Sequence, residues 1–202
     1  MMRVRSHWFR NERPKTPREI AGAMAFITWR VAQQALRNMR RADFEIETGT
    51  RYFDFVAEWL IFLAHIADGM AWKRFGPEVR IEFTSALANR IGEIYADNRD
   101  ELLGPWQSQG PGAVKAGFID LLNLRLVDYG DFEFQDGVEY GCLRYLASQL
   151  ACVVGPRDTL WVHEQVMEIE APQAVEAICK SFRDLLGEEP RAARRRPSVS
   201  GE

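Results

Sequence analysis

Asp54, Glu58, His65 and Asp68 lie in one apolar stretch, RYFDFVAEWLIFLAHIADGMAWKRF (residues 51–75), at successive steps of four, seven and three. At 3.6 residues per turn these steps return to one side of a helix. The spacing therefore predicts a single file of ionisable groups, with Ile61 inside it and Trp72 at its end. Carboxylates and imidazoles are ligands for zinc, iron and manganese, and they also move protons. One reading is thus a ligand or divalent-metal site on Glu58, His65 and Asp68, with Asp54 in the same file and His163 approaching from another helix. The diagnostic patterns are missing: Glu-x-x-His, HExxH and CxxCH do not occur in the chain. Ser85, Ser148 and Ser181 sit in helical stretches without a strained nucleophile turn, which disfavours hydrolase chemistry. The expectation is no resident cofactor, with a divalent metal as the alternative.

The same file also reads as the polar edge of a buried helix. Glu58 or Asp68 then meets Arg125 or Arg144, the two arginines in otherwise apolar helices, and the pair fixes packing rather than chemistry.

These residues need a scaffold, and the scaffold is legible. In residues 51–75 apolar side chains cover nearly the whole helix circumference, which is the pattern of a central, buried helix. Ahead of it, Thr16-Pro17-Arg18-Glu19 forms a capping box with proline in the first turn, followed by an apolar stripe from Ile20 to Met39. Gly76-Pro77 breaks the central helix and starts a third, with Val79, Phe83, Leu87, Ile91 and Ile94 on one side and Asp97 to Asp100 at its end. A loop over 104–117 separates it from 118–129, where a helix is favoured over a strand, and the DFEFQDG stretch reads as a short extended piece. Asp136 with Glu139, and then Asp158, are read as caps of two further helices. Ala171-Pro172 kinks or restarts the last one, which Gly187 closes. Cys142, Cys152 and Cys179 lack zinc or redox spacing and read as small core residues.

Charge is unevenly spread. Residues 1–41 hold ten Lys/Arg against two acids, a net of +8, and the tail from Arg191 carries +3, so a total of −3 leaves −14 between them. Basic ends and an acidic body favour self-association or a protein partner. Nucleic-acid binding through the basic arm has no reading motif behind it, and the acidic body opposes it. The apolar stretch is interrupted by charge, so no transmembrane segment is expected, and neither is a signal peptide, which makes cytoplasmic the expected location.

The sequence therefore predicts an all-α fold of about six or seven helices packed around 51–75. Residues 1–15 form a basic arm, 16–187 the bundle domain, and 188–202 a basic disordered tail. The function expected is a non-enzymatic, self-associating interaction protein; the alternative is a small-ligand- or metal-binding bundle, or a helical enzyme, using the 58/65/68 face.

Overall fold

The computed structural model describes residues 15–104, 110, 112–132, 134 and 138–187. The expected arm (apart from Lys15), Trp106, Asp136 and the tail lie outside them. Among the described residues the fold is all-α, with no strand.

Helix α1 (Pro17–Arg41) opens on the expected capping box: Glu19 N–H donates to the Thr16 hydroxyl, and Thr16 N–H donates to the Glu19 carboxylate at 2.8 Å. Its buried stripe includes Ile20, Met24, Ala35 and Met39. Helix α2 (Thr50–Arg74) is buried on nearly every side and packs against α1, α3, α4, α5 and α7. By length and mean hydropathy α2 would pass for a membrane span, yet 72% of its most apolar stretch is buried inside the bundle.

Helix α3 (Pro77–Leu103) follows with Pro77 in its first turn. It runs past the expected stop at Asp97–Asp100, because those polar residues lie on a face that remains partly open to water rather than at an end. Val79, expected in the core, is exposed; Phe83, Leu87, Ile91 and Tyr95 form the buried stripe. Helix α4 (Ala113–Tyr129) starts earlier than its apolar run suggested and settles 118–129 as helix.

Helix α5 (Tyr140–Ala151) has Glu139 at its N-cap position, so Glu139 is not the third helical residue of a capping box. Cys142 is buried as expected, whereas Cys152 is exposed just beyond the end of α5. Asp158 is likewise no helix cap. Its carboxylate accepts from Glu45 N–H at 2.5 Å and from Arg157 Nε at 3.1 Å, which pins the α1–α2 connector to the segment after α5.

The last rod begins as α6 (Val162–Glu164), widens into a π-helical segment (Gln165–Glu170) and continues as α7 (Ala171–Leu185). Pro172 supplies the reason. Proline has no N–H to give the preceding turn, and its ring clashes with the carbonyl four residues back in a regular helix. The wider turn relieves that clash without breaking the rod. Leu186 and Gly187, the latter at φ +71°, close α7 with hydrogen bonds back to its last carbonyls. Helix α7 runs antiparallel to α1: Lys15 Nζ donates to the Leu185 carbonyl at one end, and Asn38 donates to Glu170 at the other.

Candidate functional site

The file on α2 exists, but its members have separate fates. Asp54 is exposed near the helix start; partial burial raises its pKa, and Arg99 and Arg51 pull it back down. Glu58, one turn on, is buried and accepts both arms of Arg125: Nε lies 3.1 Å from each carboxylate oxygen and Nη2 2.8 Å from Oε1. Pairing with Glu58 raises the Arg125 pKa. This is one of the pairings the sequence admits, and it ties α4 to α2.

Asp68 does not use Arg125 or Arg144. Its two oxygens take the Arg80 fork at 3.0 and 2.5 Å, and Thr84 Oγ1 donates at 2.5 Å, so the first turns of α3 lock onto the end of α2. Arg80 in turn lies over the Trp72 ring, 4.7 Å from its centre, although the indole itself is 64% exposed. His163 is elsewhere: its Nε2 lies 3.5 Å from Ser148 Oγ, between α5 and α6, and it lines no part of the His65 cleft.

His65 is half-buried and stacks on Tyr129 at 5.1 Å with the ring planes 19° apart. Burial is the larger influence and lowers its pKa below 6.5, while Asp68 acts in the opposite direction. The folded protein therefore holds fewer protons on this ring than the unfolded chain. Above the unfolded pKa His65 leaves stability unchanged; as pH falls through 6.5 stability is lost, and the loss stops below the folded pKa. Urea midpoints between pH 7.5 and 5 are expected to fall more steeply for the natural chain than for His65→Gln. Parallel profiles would show that another group carries the titration.

His65 and Asp68 form the floor of an open cleft of about 710 Å³, walled by Trp72, Arg80, Leu126, Phe132 and Phe134. Two glycines build the aromatic wall. A Cβ on Gly69 would lie 2.7 Å from the Phe134 ring, and one on Gly141 would lie 2.8 Å from Phe132. Both rings thus seat where only hydrogen leaves room. Lys73 Nζ lies 5.0 Å from the centre of the Phe134 ring. The cleft-lining residues Gly69, Arg80, Leu126, Gly130, Phe132 and Phe134 were not singled out as site residues from the sequence. Two signals could have found Gly69, Phe132 and Phe134, namely a glycine inside an otherwise apolar helix and the Phe132/Phe134 alternation, whereas none marks Arg80, Leu126 or Gly130.

Glu58, His65 and Asp68 do not converge as metal ligands. Both carboxylates are engaged by guanidinium groups, and among the described residues no three His, Cys, Asp or Glu side chains are grouped to hold an ion. The cleft offers instead a stacked imidazole and an arginine paired with Asp68, beside apolar rings. Compared with known proteins, the chain matches no family model, no curated protein and no solved structure.

Proposed function

We propose that this chain is a helical-bundle binding protein whose ligand is a small, planar, largely apolar organic molecule with one polar edge, held in the cleft over His65, Asp68 and Arg80. The cleft itself carries the reading. At about 710 Å³ it falls within the roughly 300–1,000 Å³ of small-molecule sites, and it combines apolar walls with a few convergent polar groups. Trp72, Phe132 and Phe134 give the flat surfaces; the His65 ring nitrogens and the Arg80 N–H groups not engaged by Asp68 give the polar edge. Binding is favoured over catalysis because Asp68 and Arg80 already satisfy each other, which leaves no carboxylate there poised as a base.

Exposed apolar side chains that would support self-association include Phe26 on α1, Trp72 on α2, Val79, Ile81 and Leu102 on α3, Leu124 and Val127 on α4, Tyr140 on α5, Leu160 with Trp161 ahead of α6, and Ile169 before α7. The cleft is preferred because it gathers apolar and polar groups in one concavity.

The probe is 1-anilinonaphthalene-8-sulfonate, a planar aromatic with one anionic edge. Saturable enhancement of its fluorescence at one probe per chain is expected. Gly69→Val, which displaces Phe134, and Leu126→Trp, which fills the cleft, are each expected to weaken binding by about tenfold or more, a step of 1.4 kcal/mol. Unsaturable binding, or full affinity in both folded variants, would remove the cleft from consideration.

A further inference from the structure

A second pocket lies between α1 and α7, remote in sequence from the cleft and independent of it. It encloses about 170 Å³. Val31, Ala35 and Ala174 give it an apolar side, and Gln34, Asn38 and Gln173 a polar one. Glu170 borders it.

Glu170 is only 4% exposed, which is unusual for a carboxylate without a cation. Its oxygens accept one amide hydrogen each, from Asn38 Nδ2 and Gln165 Nε2, both at 3.0 Å. Among the described residues no Lys or Arg forms an ion pair with it. Each carboxylate oxygen can accept two hydrogen bonds, so half the acceptor capacity remains. A buried carboxylate lacking a countercharge is costly unless something positive completes it.

Local backbone structure explains how the residue comes to be there. Glu170 is the last residue of the π-helical segment that accommodates Pro172, and segments of this kind recur at functional sites. The segment sets Glu170 against α1, where Ala35, Ala174 and Ala177 keep the side chains between the helices small.

We propose that this pocket is a ligand site for the ammonium group of a small primary alkylamine. The ammonium donates to the spare acceptor positions of Glu170 and to the remaining lone pair of the Asn38 amide oxygen, which accepts from Gln34; the Gln34 oxygen is already taken by Arg37. Its alkyl chain rests on Val31 and the alanines. The volume suits about two to four carbons, given that water occupies about 30 Å³. A metal ion is a poorer fit, since one carboxylate and neutral amides do not make an oxygen cage.

The test uses the full chain and ethylammonium chloride, with sodium chloride and tetramethylammonium chloride at equal ionic strength as controls. The expected result is saturation transfer to the ethyl protons, together with a saturable rise in Tm that neither control produces. Glu170→Gln, which keeps the shape and loses the charge, is expected to weaken the interaction by at least about tenfold. Ala177→Leu, which fills the pocket and leaves the carboxylate in place, is expected to do the same. An equal Tm response to either control salt, absence of saturation transfer, or unchanged affinity in both variants would each overturn the proposal.

Discussion

Replacing Arg125 with methionine is expected to destabilise the fold by about 3–5 kcal/mol, the usual result of removing one partner of a buried ion pair. The size follows from Glu58, not from any intrinsic strength of the bridge. The Glu58 side chain is 6% exposed, and the Arg125 fork meets both of its oxygens. Without that fork the carboxylate stays among the apolar side chains of α2 with its countercharge gone. The double variant Glu58→Met/Arg125→Met removes both charges, and its stability is expected to return to within about 1 kcal/mol of the natural chain or to exceed it. Urea denaturation of the four members of the cycle isolates the coupling. A cost below about 1 kcal/mol for Arg125→Met would place the pair in the same class as solvent-exposed bridges. Because the pair holds α4 on α2, the single variant should also loosen Leu126, one residue further along and part of the cleft wall.

The scaffold was more legible than the site, for physical reasons. Periodicity and capping are local, so α1 could be placed from Thr16 and Glu19, and α2 from its unbroken apolar surface. The file on α2 was correct as geometry on a cylinder, yet what each member touches depends on partners far along the chain. Arg125 could be named because it is a charge in an apolar helix. Arg80 could not, since it sits among ordinary surface residues at the start of α3, and only folding brings it onto Asp68 and Trp72. Local rules misled at Asp158, whose type suits a helix cap but whose carboxylate serves a distant backbone N–H. Glu170 gave no signal at all. A glutamate before Ala-Pro reads as surface, and its burial follows from the π-helical segment that Pro172 imposes.

Tyr129→Ala is expected to cost about 3–5 kcal/mol, the range for deleting a fully buried aromatic ring, whereas Tyr129→Phe is expected to be neutral or stabilising by about 1 kcal/mol. The ring is wholly buried and sits at a junction of three others: it stacks on His65, meets Tyr145 edge-on at 4.9 Å and tilts against Phe62 at 6.1 Å. Among the described residues the hydroxyl, by contrast, has no hydrogen-bond partner, and burial raises its pKa well above the usual value. A buried donor without an acceptor costs about 1–3 kcal/mol of desolvation, so phenylalanine loses little and sheds that cost. The pair of variants therefore separates ring from hydroxyl, and His65 reports which one matters to the site. In Tyr129→Ala the imidazole loses its stacking surface and gains water, so its pKa, followed by proton NMR, should climb back toward 6.5; in Tyr129→Phe it should stay depressed. If phenylalanine instead costs more than about 1 kcal/mol, the hydroxyl is hydrogen-bonded after all. If alanine leaves the imidazole titration where it was, the environment of His65 is set by Asp68 and α2, and not by the ring beneath it.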